Sequence, residues 1–156
     1  MLGTAEGVIM INSILVSTDG SPASNRAVAL AAHMAIQHDA SLHLLNVIRD
    51  MQVPSELQKM ARVENIGQAR QDVLEFVANQ ILGDAEHRAK KKGLKKVRKS
   101  IGHGDPATAI ARYAKRNKID LVVLGTRGLG KVKGVLMGSV SRKVANACDV
   151  NCLIVR

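Results

Sequence analysis

At 156 residues, 46% of them hydrophobic and only two of them cysteine, the chain is long enough to bury one sizeable core without disulfides or a structural metal. Phe76 and Tyr113 are its only aromatic residues, so the core must be built from Val, Ile, Leu, Met and Ala, and the stacking platforms that hold single-stranded nucleic acid are excluded. The net charge of +10 is uneven: residues 1–87 carry five basic and ten acidic side chains, residues 88–156 eighteen and three.

In chain order, residues 1–10 read as a flexible tail and 11–17 as a buried strand centred on Ile14-Leu15-Val16. Thr18-Asp19-Gly20-Ser21-Pro22 then announces a tight turn and a helix start, with proline at the first helical position. Ala27, Leu30, Ala31 and Met34 follow at helical spacing over 22–38. Residues 42–48, Leu-His-Leu-Leu-Asn-Val-Ile, read as a strand buried on both faces.

A connecting loop containing Pro54 is expected over 49–64, and a long helix over 65–92 with Val73, Phe76, Val77 and Ile81 on its inner face and Gly93 as its stop. Residues 97–101 form the third strand, with Val97, Lys99 and Ile101 on the side opposite Arg98 and Ser100. Asp105 is the expected N-cap of the next helix and Pro106 its first residue; Ile110 and either Tyr113 or Ala114 are its buried positions. A strand over 120–125, a glycine-rich loop, a helix over 139–147 sharing a face through Val140, Val144 and Ala147, and a last strand over 150–155 complete the chain.

Five strands alternating with four helices predict a single-domain α/β fold, a doubly wound five-stranded parallel sheet with helices on both faces, because each parallel crossover needs a helix to cover the sheet. Ligands of such sheets bind beyond the carboxyl ends of the strands, where the winding reverses. If the first and fourth strands are neighbours there, Asp19 and Gly125 face one cleft. No 18-residue apolar span and no signal peptide is present, so a cytoplasmic protein that does not cross a membrane is expected.

Gly125-x2-Gly128, nine residues, then Gly138-Ser139 stands at a strand-to-helix transition. The pattern reads either as a phosphate cradle, in which backbone N–H groups and the hydroxyls of Ser139 and Ser141 hold the anion with Arg127 nearby, or as a surface loop whose glycines make turns. It is not a Walker A loop, since Val132 occupies the place of the magnesium-binding hydroxyl, and Gly128-x-Gly130-x3-Gly134 misses the dinucleotide spacing. The lysine-rich run over 90–99 also has two readings, a solvated helix end favoured by the helix dipole or a surface that attracts an acidic partner. Cys148 and Cys152, four apart in an expected strand, would have Cα atoms about 13 Å apart, beyond disulfide reach.

These residues carry a resemblance that covers about 11–156. Ile14-Leu15-Val16-Ser17-Thr18-Asp19-Gly20-Ser21, Gly104-Asp105-Pro106-Ala107 and the Gly-x2-Gly-x9-Gly-Ser pattern together resemble the ATP-binding branch of the universal stress protein family. The resemblance implies an adenine nucleotide α-hydrolase-like sheet in order 3-2-1-4-5, ATP or another adenine nucleotide with Mg in the cleft, and a homodimer joined through the last strand. It also implies roles: Ser17, Thr18 and Asp19 beside adenine, with Asp19 accepting a hydrogen bond from the base, and Val47 packed on the ring. Gly125, Arg127 and Gly128 would border ribose and phosphate, and Gly138, Ser139, Val140 and Ser141 would hold the phosphates. Ser17 stands where the family often has proline, and Asp149-Val150-Asn151-Cys152 replaces its common Cys-Pro-Val ending.

No catalytic constellation accompanies this pattern. His33, His38, His43, His87 and His103 are scattered without a nucleophile at recognisable spacing, and His103-Gly104-Asp105 reads better as a turn and cap than as a general base. The expected function is therefore a nucleotide-dependent stress-response dimer that acts on an unidentified protein partner, with at most weak ATP hydrolysis. The alternative is a nucleotide-independent module that docks an acidic partner or nucleic acid through its basic half.

Overall fold

The computed structural model describes residues 10–49, 63–126 and 137–156. Expectations that concern 1–9, 50–62 and 127–136, Arg127 and Gly128 among them, lie outside the described residues. The elements are β1 (Ser13–Ser17), α1 (Pro22–Gln37), β2 (Ser41–Ile48), α2 (Val63–Lys91), β3 (Val97–His103), α3 (Pro106–Arg116), β4 (Leu121–Gly125), α4 (Ser139–Ala147) and β5 (Asn151–Val155). All four strand pairings are parallel and the order is β3-β2-β1-β4-β5, as expected. The reversal falls between β1 and β4, where Val16 lies beside Val123 and Ser17 beside Leu124.

The sheet divides the core in two because successive strand side chains point to opposite faces. Ile14, Val16, Leu42 and Leu44 pack under α1 and α2, while Leu15, Leu45, Val122 and Leu124 pack under α3 and α4. With few aromatic side chains to fill space, the helices come close through alanine. α1 buries Ala23, Ala27, Ala31, Ala32 and Ala35, and Leu30, expected on its stripe, is 38% exposed.

On α2 the inner face was expected one position away from where it lies. Val73, Phe76 and Val77 are 62%, 64% and 47% exposed, and Ala78, Leu82, Ala85 and Ala89 form the buried row instead. Both rows have helical spacing; the alanine row wins because small side chains let the helix approach the sheet, whereas larger residues at the contact would hold it away. A similar exchange occurs on α4, where Ala147 is exposed and Ser141 and Val144 are the buried residues.

Cys148 corrects another expectation. It is the C-cap of α4 rather than part of a strand, so the chain turns before Cys152 enters β5, and both side chains pack against the same core cluster. Both cysteines are free. Burial, then the adjacent Cys148, pushes the Cys152 thiol up to about 11.

Across the other layer, His43 is buried on β2, its Nδ1 3.0 Å from Tyr113 Oη and its Nε2 3.3 Å from Ser41 Oγ. Tyr113 Oη also lies 3.2 Å from Ser100 Oγ, which ties α3 to β2 and β3. Burial, with a smaller contribution from the Arg98 guanidinium, holds the His43 imidazole below its ordinary value of 6.5.

Two outcomes follow for stability. Leu82→Ala should cost about 2–5 kcal/mol in urea unfolding, whereas Phe76→Gln should change stability by about 0.5 kcal/mol or less. Because the unfolded state takes up a proton on His43 more readily than the folded state, stability should fall as pH drops below 6.5 toward the depressed folded value. Glu86, held low by Lys90 and then Lys99, loses its contribution only below its ordinary 4.5. Melting curves between pH 7.5 and 5.0 should therefore show a decline that is shallower in His43→Gln.

Candidate functional site

The first wall is the turn from β1 into α1. Thr18 is buried and committed on every side: its N–H donates to Leu45 O at 2.9 Å, its Oγ1 lies 3.1 Å from Ser24 Oγ, and its carbonyl accepts from Asn46 Nδ2 at 2.8 Å. Asp19 Oδ1 accepts from the Ser21 N–H at 3.0 Å, and Ser21, the N-cap of α1, accepts from the Ser24 N–H at 3.2 Å. Gly20 between them has φ +79, and a Cβ there would stand 3.4 Å from Ile81 of α2. The turn is thus fixed to β2 and α2 before any ligand is considered, and Asp19 is held where it lines the cleft.

The second wall is the end of β4 and the start of α4. A Cβ on Gly125 would stand 2.8 Å from the Ala23 carbonyl carbon and from the Ser24 nitrogen, so glycine here serves the close approach of α1 to the sheet. Thr126 N–H donates to Val155 O at 2.7 Å, and Gly138 N–H donates to Thr126 O at 2.5 Å. The chain therefore re-enters the described structure one hydrogen bond from where it leaves. Gly138 caps α4 without a side-chain bond, and the first helical bond is Arg142 N–H to Gly138 O at 3.1 Å. The amides of Ser139, Val140 and Ser141 consequently lie outside the helical ladder, at the positive end of the helix dipole.

Between these walls lies a cleft of ≈ 910 Å³, within the usual size range for small-molecule sites. Of the eleven residues singled out from sequence, Ser17, Thr18, Asp19, Val47, Gly125, Gly138, Ser139, Val140 and Ser141 line it together; Arg127 and Gly128 lie outside the described residues. Ser141 differs in its detail from the expected phosphate-binding hydroxyl. It is buried, and its Oγ donates to Gly138 O at 3.1 Å with Thr126 O at 3.4 Å, so its proton braces the helix start. Ser139 is exposed.

The cleft also has a third wall that sequence reasoning missed. Arg70, Leu74, Val77 and Ile81 of α2 line it at spacings of four, three and four, the helical signature of one face. Their spacing makes Val77 and Ile81 expected core positions, and the arginine at the head of the same row is the available sign that this face is solvated. Asn46, Arg49 and Arg142 also line it without having been singled out, so that three guanidinium side chains and the single carboxylate of Asp19 stand among the described lining residues.

The cap expected at His103-Gly104-Asp105 is present. His103 ends β3 and does not line the cleft, while Asp105 caps α3 by accepting from Thr108 N–H at 3.0 Å and Thr108 Oγ1 at 3.1 Å. Those two bonds, with Lys143 3.7 Å away, hold the Asp105 carboxyl below its ordinary range. Among the described residues no group of three or more His, Cys, Asp or Glu side chains is placed to hold a metal ion, and no helix is long and apolar enough to cross a membrane.

Residues 10–156 match the model of the universal stress protein family. The universal stress protein YxiE of Bacillus subtilis is 35% identical over 150 residues, covering 94% of this chain and all of that one. A universal stress protein solved in complex with cAMP aligns with a TM-score of 0.67 at 28% identity, covering 94% of this chain and 98% of its own. The universal stress protein UspA from Lactobacillus plantarum aligns with a TM-score of 0.81 at 25% identity over the same shares.

The contact at the end of β4 makes its own prediction. Gly125→Ala must push the start of α1 away from the sheet, since the atoms met are backbone rather than the tip of a flexible side chain. The expected loss is about 1–3 kcal/mol in urea unfolding without any ligand present.

Proposed function

Because the chain belongs to the universal stress protein family, we propose that its cleft holds an adenine nucleotide, ATP foremost, and that occupancy sets a surface read by a protein partner in the cytoplasm. The observation that carries this reading is the meeting, in one cleft, of three amides outside the ladder at the start of α4 with an apolar wall of Val47, Leu74 and Val77. The two chemistries suit the two ends of a nucleotide. Helix-start amides and guanidinium groups favour a polyphosphate, and branched aliphatic side chains cover a flat base from water. The cAMP-bound relative supports the adenylate class.

In this reading Val47 packs on the ring, with Ser17 and Thr18 forming the strand-end wall, and Asp19 accepts from the exocyclic amine of adenine. Gly125, Arg127 and Gly128 border the ribose and phosphate. The amides that follow Gly138, on Ser139, Val140 and Ser141, receive the phosphate oxygens, and Arg49 and Arg142 offset their charge. Mg enters as a companion of the phosphates, which supply ligands for it. Ser141 keeps its hydroxyl on the backbone and contributes its N–H.

Turnover is not what this site is built for. Among the described lining residues there is no histidine, and the carboxylate present, Asp19, is engaged by the Ser21 amide. ATP is held in preference to being cleaved, and hydrolysis is slow. The protein assembles as a homodimer through β5, whose Leu153, Ile154 and Val155 form a partly buried apolar edge.

A ligand that binds only the folded state stabilises it by about 2.7 kcal/mol at a hundredfold excess over Kd, about 5–11 °C in Tm for a domain of this size. Mg-ATP should produce a shift of that order. Asp19→Ala and Gly128→Val should remove most of it. Absence of any shift at millimolar ATP, or an undiminished shift in both variants, would sink the proposal.

A further inference from the structure

β3 and β5 are the two edges of the described sheet, and they differ in kind. The β5 edge is aliphatic, whereas β3 exposes Arg98 and Lys99 and is entered through exposed Lys92, Lys95 and Lys96. Residues 88–118 hold twelve Lys and Arg against one acidic residue, Asp105. Lys90 and Lys99 share Glu86 at 2.8 and 2.6 Å, and Lys96 pairs with Asp39 at 2.8 Å. The other nine cations make no ion pair among the described residues.

Two ordinary roles account for part of this charge. Basic residues in the last turns of α2 and α3 offset helix dipoles of about half a charge each, and a cationic edge keeps a second copy of the same strand from pairing with it. Both roles are satisfied by fewer cations than are present. The second has a corollary: charges that repel another β3 attract an acidic strand.

The backbone is arranged to receive one. Leu42 N–H donates to Lys96 O at 2.8 Å and Gly104 N–H to Ile48 O at 3.0 Å, so the even-numbered residues of β3 turn their polar groups toward β2. By the alternation of a parallel ladder, the N–H and C=O groups of Val97, Lys99 and Ile101 point outward, and no described strand pairs with them. The cations flank this open row on both faces. Lys99 lies on the α2 side, against Glu86; Arg98 lies on the opposite side with Ser100, which contacts Tyr113 of α3.

We propose that the β3 edge is a docking site for an acidic, extended segment of another protein, which adds to the sheet as a sixth strand. Its backbone pairs with Val97, Lys99 and Ile101, and its consecutive carboxylates, alternating in direction, meet Arg98 on one face and Lys99 on the other. A peptide uses both the open hydrogen-bond row and the cations. Nucleic-acid duplexes and anionic membranes would use the cations alone.

The test uses the full chain, ¹⁵N-labelled, and a fluorescein-labelled decapeptide of Glu, Thr and Val with paired glutamates. Binding should weaken at least tenfold between 50 and 300 mM NaCl, and amide exchange at Lys99 and Ile101 should slow at least tenfold when the peptide is bound. The double variant Arg98→Glu, Lys99→Glu should weaken binding at least tenfold; Arg98→Gln with Lys99→Gln, milder for the fold, should weaken it several-fold with Tm retained. Methylation of alternate peptide nitrogens should abolish the exchange protection and most of the affinity. The proposal is overturned if the acidic peptide fails to bind at 50 mM NaCl or the methylated peptide binds equally well. It is equally overturned if a 20-base-pair DNA duplex or phosphatidylserine vesicles bind more tightly than the peptide. The readout involves no nucleotide, so its failure leaves the cleft reading standing.

Discussion

The missing side chain at Gly125 is the constraint on which the rest of this structure depends. It lets the end of β4 sit against the backbone of Ala23 and Ser24, which places the first turn of α1 over the seam between β1 and β4. That seam is where the winding of the sheet reverses. With α1 seated there, the Thr18–Ser21 turn, the start of α4 and the upper half of α2 are left facing one another around a cleft. A packing requirement between two backbones thus decides where a ligand site can exist, and the chemistry of the site is added by residues that surround the contact.

Alanine plays the same part on a larger scale. α1 and α2 reach the sheet through rows of small side chains, so the layer is thin and the core depends on closeness rather than bulk. One consequence is that the larger apolar residues of α2 are released from the core. Leu74, Val77 and Ile81 can then face the cleft, and the helix serves as core on one row and as a wall of the cleft on the next.

The strands, the helix starts and the layering were legible from the sequence because each rests on a local signal, whereas the strand order, and with it the meeting of Asp19 and Gly125 in one cleft, came from the family resemblance. β-branched runs ending in turn residues mark the strands, Ser21-Pro22 and Asp105-Pro106 mark helix starts, and parallel crossovers force the layering. What was not legible had two local solutions of equal form. α2 carries two helical rows, and choosing between them requires knowing how near the sheet lies. Cys148 could end a helix or begin a strand, and only the packing of Val144 and Val150 against the core decides. The role of Gly125 was hidden for a further reason: a glycine after a strand looks the same whether a ligand or another helix occupies the space its side chain would take.

The bond from Gly138 N–H to Thr126 O has a meaning for how a universal stress protein of this kind can diversify. It brings the end of β4 together with the cap of α4, so the distance between these two points is fixed by the described fold. The entropy of closing a segment between fixed ends grows only slowly with length, about 0.6 kcal/mol for each doubling. Insertions, deletions and exchanges between Thr126 and Gly138 should therefore cost the scaffold little, and the sequence there can drift between lineages while the sheet beneath stays the same.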